Sequence, residues 1–255
     1  MSYMARLDES SKSVHLNVVR RLGLLGLLVL WLGGVAHAQL AMHIVLMGDS
    51  NTFLGGDACD KPEGWNKWFR DLAEPLSCRS YARSGATWTH TPKTVYDTEE
   101  YTGVLSDNNV VYNQINRLTE AYRAGEQPAP DLIVIMAGTN DLWFAEQRPD
   151  SLSRWIRYDG ECIGKAFPQA RVVLVTPPPF VKVGMDRQRR AAEEMAECAR
   201  DLGWEVIRLD RADHMFRASD MRRLGYSKDG VHTTVAGAKV LGRCIYEQIK
   251  AILHQ

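Results

Sequence analysis

Several features that would point to a ligand class are missing from this sequence. Its 31 basic and 31 acidic residues balance, and no block of one sign stands out. A nucleic-acid partner, which needs a clustered positive field, is therefore not expected. The five cysteines, Cys59, Cys78, Cys162, Cys198 and Cys244, fall in no zinc-ligand spacing. No metal and no other cofactor is expected. Repeated glycines do not follow the first strand-like segment, so the phosphate cradle of a nucleotide-binding domain is lacking. There is no internal repeat and no low-complexity linker. Nor is there an uninterrupted apolar run of the ~20 residues that a membrane span requires. The longest such stretch, "LGLLGLLVLWLGGV" from Leu22 to Val35, is shorter and holds four glycines.

That stretch has a different meaning in context. Arg6, Lys12, Arg20 and Arg21 precede it, and Ala36-His37-Ala38 closes it. A basic segment, a short apolar segment and a small-x-small end make a secretory signal peptide. Residues 1–38 are expected to be cleaved after Ala38, an uncleaved anchor being the alternative. Residues 39–255 then form one domain, secreted or periplasmic, with no stable membrane insertion and a charge two units negative. Export permits disulfides. An odd cysteine count leaves at least one thiol free or paired between chains. Cys59 and Cys78, flanking one short helical segment, are the favoured pair.

Five segments look like short buried strands: 43–47 (HIVLM), 78–82 (CRSYA), 131–137 (DLIVIMA), 171–176 (RVVLVT) and 204–209 (WEVIRL). Several are nearly continuous apolar runs, as in a parallel sheet covered on both faces. Helical patterns lie between and after them, around 65–72, 111–124, 152–167, 186–202 and 234–253. This alternation predicts an α/β sandwich with right-handed crossovers. The three prolines 177–179 end the fourth strand, since proline cannot continue a central ladder. The stretch 85–110 is a long loop rich in Thr, Asp and Asn, and such loops are often functional.

In open parallel sheets the binding crevice lies at the carboxyl ends of the strands. Here those ends carry Gly48-Asp49-Ser50-Asn51, then Ser84-Gly85-Ala86-Thr87-Trp88, then Gly138-Thr139-Asn140-Asp141. Asp229-Gly230-Val231-His232 precedes the last helical pattern. A serine hydroxyl is a weak nucleophile until a base takes its proton. His232 suits that task, and Asp229, three residues earlier, suits holding the imidazole. The backbone N–H groups of Ser50 and Gly85 and the Asn140 side-chain amide suit a developing oxyanion. Trp88 and Trp143 each lie three residues past one of these donors and are expected to line the substrate pocket. Taken singly, such motifs usually mark a turn or a helix cap; their ordered occurrence favours chemistry. A competing cluster, Asp210, Asp213 and His214, could mimic a dyad or a metal site.

Taken together, the four blocks resemble the signature of the SGNH, or GDSL-type, hydrolases over about residues 43–252. The first block departs from the family's pattern only in Asn51, where the family name has leucine. The resemblance implies a three-layer α/β/α sandwich on a flavodoxin-like five-stranded parallel sheet of order 2-1-3-4-5. It also implies Ser50 as nucleophile, His232 as base, Asp229 as its orienter, and Ser50, Gly85 and Asn140 as oxyanion donors. The expected activity is hydrolysis of carboxylic esters through an acyl-enzyme. Loops rich in polar groups and aromatics favour a small-molecule or glycan ester bearing short acyl groups such as acetyl. A lysophospholipase or thioesterase is the alternative, and a non-catalytic binding module on the same fold is the rival of another class.

Overall fold

The computed structural model describes residues 40–101, 107–145, 151–211 and 218–254. The expected signal peptide, and Asp213 and His214 of the competing cluster, lie outside them. Strands β1 (His43–Gly48), β2 (Ser77–Ser80), β3 (Leu132–Met136), β4 (Arg171–Val175) and β5 (Glu205–Ile207) form a sheet of order β2-β1-β3-β4-β5. Every neighbouring pair is parallel. This is the expected α/β sandwich and strand order.

Side chains alternate across a strand, and the cores on the two faces follow from that alternation. Ile44 and Leu46 of β1, with Leu132 and Val134 of β3, point into one core. Val45, Met47, Ile133 and Ile135 point into the other. The first face is covered by α2 (Trp65–Ala73), through Trp65 and Phe69, and by α8 (Val235–Leu253), through Leu241, Ile245 and Ile249. The second is covered by α3 (Val111–Arg123), α5 (Leu152–Ala166) and α6 (Met185–Asp201). Burying a side chain of this size contributes roughly 1.5–3 kcal/mol. The apolar stripe of each helix therefore sets its seat on the sheet. Ser151 caps α5 by accepting from Arg154 N–H, and Thr234 caps α8 by accepting from Gly237 N–H.

Four of the five strands come out shorter than their expected ranges, and the two edge strands show why. The run 204–209 contributes only three paired residues, because β5 is an edge strand bonded to β4 alone. Likewise β2 is the opposite edge and ends at Ser80. Three short helices were not expected: α1 (Ser50–Phe53), α4 (Thr139–Trp143) and α7 (Ala218–Arg223). The first two begin directly after β1 and β3, where the candidate residues sit. The turn from β1 into α1 requires glycine. Gly48 has φ +148°, and a Cβ there would lie 2.1 Å from the Met136 carbonyl oxygen on β3. The two central strands thus close together immediately beneath Ser50.

Candidate active site

Ser50 opens α1 and is 8% exposed. Asp49 caps that helix, its Oδ1 accepting from Asn51 N–H at 3.1 Å. The N–H groups in the first turn of a helix lack intrahelical acceptors, so Ser50 N–H is free of the ladder. A second tie comes from Gln114 on α3. Its Oε1 accepts from Gly48 N–H (2.9 Å) and its Nε2 donates to Gly48 O (2.8 Å). Trp65 Nε1 donates to Thr52 Oγ1 at 3.0 Å and pins α1 to α2. The serine therefore stands on a backbone held from three sides.

His232 arrives from the loop before α8. The Ser50 hydroxyl donates to His232 Nε2 at 2.9 Å, and His232 Nδ1–H donates to Asp229 Oδ2 at 2.6 Å. The other carboxylate oxygen, Oδ1, accepts from the N–H groups of Val231 and His232, both at 2.8 Å, and from Ser227 Oγ at 3.2 Å. Desolvation raises the Asp229 pKa, but the ring and backbone donors outweigh it and hold the carboxyl down at about 2. Asp229 is thus ionised throughout the working range and fixes the imidazole tautomer with its lone pair toward Ser50. Gly230, with φ +82°, allows the tight turn, and a Cβ there would meet Val181 Cγ2 at 2.1 Å.

Asn140 lies in the first turn of α4 and is buried. Its Nδ2 donates one hydrogen to the Ala86 carbonyl at 2.9 Å, leaving the second for a ligand. Gly85, one residue before that carbonyl, sits at φ +77°. The loop after β2 and the start of α4 therefore carry both remaining oxyanion candidates and touch directly. Asp49 is the unexpected member of the site. Its burial pushes the carboxyl up to about 6, against the lowering influence of Thr139, Asn51 N–H and His232.

The two tryptophans part company. Trp88 is corrected to a core residue: it is 0% exposed and packs with Val111, Ile115 and other buried side chains beneath the sheet. The loop that carries it dives into the second core there, so its ring cannot line an open pocket. Trp143 does face outward, 38% exposed, stacked on Phe144 with Lys182 over its ring. A cleft of about 740 Å³ opens beside His232, lined by Leu54, Glu63, Lys228, Thr233 and Val235 among others. Of the competing cluster only Asp210 is among the described residues, and it is engaged by Arg208 at 2.7 and 2.8 Å. Cys59 and Cys78 do meet, as free thiols with sulfurs 3.5 Å apart rather than as a disulfide.

Residues 46–240 match the model of the GDSL-like lipase/acylhydrolase family, spanning the candidate serine, asparagine and histidine. The chain belongs to this family. It is accordingly a hydrolase of the SGNH type, with the α/β sandwich of that group. No curated protein sequence matches it. Among solved structures it is similar to a candidate SGNH hydrolase from Slackia heliotrinireducens, with TM-score 0.51 and 23% identity over 82% of this chain and 99% of that one. A candidate GDSL-like lipase from Parabacteroides merdae gives TM-score 0.54 and 13% identity over 82% and 95%. A family two carbohydrate esterase from Clostridium thermocellum gives 0.53 and 14% over 85% and 65%. At these identities the likeness is one of fold.

Proposed function

We propose that this SGNH hydrolase is an exported serine esterase that removes short acyl groups, acetyl above all, from carbohydrate. Ser50 Oγ attacks the ester carbonyl while His232 Nε2 takes its proton, and Asp229 stabilises the resulting imidazolium. The carbonyl oxygen, now negative, is held by Ser50 N–H, Gly85 N–H and the free hydrogen of Asn140 Nδ2. On collapse His232 returns the proton to the departing alcohol. Water, activated by the same histidine, then hydrolyses the acyl-enzyme. The observation that carries this mechanism is the continuous chain from Asp229 through His232 to Ser50, at 2.6 and 2.9 Å.

The substrate class rests on the surroundings. Trp143 on the oxyanion side is exposed beside a lysine, and the cleft by His232, though mainly apolar, carries Glu63, Lys228 and Thr233 on its lining. An exposed ring with polar neighbours suits a sugar face. Among the described residues no helix is long and apolar enough to cross a membrane, and residues 1–38 have the pattern of a leader. The fold is shared with a carbohydrate esterase.

The test is a series of p-nitrophenyl esters from acetate to palmitate, run beside acetylated xylan. Preference in kcat/KM for acetate or butyrate, with acetate released from xylan, supports the proposal. A maximum at ten carbons or longer without release from xylan transfers it to a lysophospholipase or thioesterase. Folded Ser50→Ala keeping more than about a tenth of the activity would sink the mechanism, since loss of the nucleophile costs orders of magnitude. The exported protein should begin at Gln39 on N-terminal sequencing, and a start near Met1 would count against cleavage.

A further inference from the structure

The carboxylate of Asp141 belongs to none of the steps above, yet it is buried one residue from Asn140. Its Oδ2 accepts from Trp88 N–H at 3.1 Å, and its Oδ1 accepts from Thr89 N–H at 2.9 Å and from the Thr89 hydroxyl at 2.7 Å. All three donors lie on the loop after β2, more than fifty residues away along the chain. That loop also carries Gly85, and its Ala86 carbonyl anchors the Asn140 amide. From this geometry we propose that Asp141 is a positioning residue for the oxyanion site, clamping the Gly85 loop onto the first turn of α4 so that the Gly85 and Asn140 donors keep one fixed separation. The proposal rests on the esterase mechanism proposed above.

Three properties suit Asp141 to this work. Ionised carboxylates accept more strongly than neutral groups, and three donors on one carboxylate fix a loop in translation and in rotation. Asp141 and Thr89 are nearly buried, at 7% and 2% exposure, where a hydrogen bond is stronger than in water. Finally, the donors go to Asp141 and not to its neighbour. Asp159 is also fully buried, but neither of its carboxyl oxygens has a hydrogen-bond partner among the described residues, and burial together with Asp141 pushes its carboxyl well up. Oxyanion donors contribute in the transition state only when preorganised, and a shift of about 1 Å in such a group can cost 100-fold in rate.

Kinetics on p-nitrophenyl acetate with a double-mutant cycle test this. Asp141→Ala is expected to lower kcat about 10–100-fold, with KM within about twofold. In the Asn140→Ala background the same change is expected to lower kcat clearly less than it does alone, because one of the two donors whose separation it fixes is gone. Losses that multiply in full in the double variant would mean a merely structural role and would overturn the proposal. Should Asp141→Ala fail to fold by circular dichroism, Asp141→Asn and Thr89→Val take its place, since each weakens the clamp without removing it. Each should lower kcat roughly 3–10-fold at constant KM; an unchanged kcat, or a change confined to KM, overturns the clamp. Ser50→Ala run alongside separates the two levels. Retained activity there refutes the esterase mechanism itself, whereas its loss with a normal Asp141→Ala enzyme refutes only the positioning role.

Discussion

Asp49→Asn should make this protein more stable at pH 8 and change its stability much less at pH 4.5. The native carboxyl is buried beside Ser50, and its pKa is raised from an ordinary 3.8 to about 6. In the unfolded chain it returns to about 3.9. Between those values the folded state holds the proton more firmly than the unfolded state does. Stability therefore falls as pH rises through this window, and above pH 6 the whole penalty is present. Two units at about 1.4 kcal/mol each set the gross penalty near 3 kcal/mol. Asparagine keeps an acceptor for Asn51 N–H and is as good a helix cap as aspartate. The raised value already includes the pull of His232, so the gain at pH 8 should be about 2–3 kcal/mol. For a domain of this size that corresponds to roughly 4–12 °C in Tm. Thermal and urea unfolding of both proteins at pH 4.5, 6 and 8 measures it. A variant less stable at pH 8, or equally displaced at all three values, would show that the Asp49 carboxyl is not ionised at a cost.

Other consequences are equally direct. Gly164→Ala, in α5 with open space around it, should stabilise by about 0.5–1 kcal/mol. Gly160→Ala one turn earlier should destabilise, because its Cβ would meet Leu202 Cδ1 at 2.5 Å; unfolding curves that rank the two alike would contradict the packing. Trp88→Ala should cost about 3–5 kcal/mol of stability, whereas Trp143→Ala should leave Tm nearly unchanged and raise KM for an acetylated glycan. A stable Trp88→Ala protein with a raised KM would restore that residue to the pocket. Exposure to a disulfide oxidant such as oxidised glutathione should join Cys59 to Cys78, and peptide mapping reads the result. The hydrogen bond to Cys59 and burial keep the Cys78 thiol protonated, so the reaction should be slow at neutral pH. A bond from either cysteine to Cys162 or Cys244 instead would mean the loop bearing Cys59 is misplaced.

The central strands were legible because burial on both faces demands apolar residues at every position, as in "LIVIM" of β3. The edge strands were legible in place but not in length, since a run such as 204–209 is apolar for reasons of packing beyond the three residues that pair. Helices α1 and α4 are too short to show a period. Ser50, Asp229 and His232 could be named because their chemistry needs particular residue types, and the structure brings those three together. Asp141 and Gln114 could not, because their partners are mostly backbone atoms more than fifty positions away, and any residue offers a backbone. Trp88 was misjudged for a related reason. Position in a loop does not tell whether a ring turns outward or, as here, inward.

Since all five strands run in one direction, the molecule has a reacting end and an idle one. The segments that lead into the strands, such as Pro168–Ala170 before β4, are turned away from Ser50. Gln169 is exposed on that idle side. A linker attached there would hold the protein to a bead or a sensor surface with its cleft facing outward. Bulky, insoluble polysaccharide could then be presented to an immobilised enzyme without obstruction from the support.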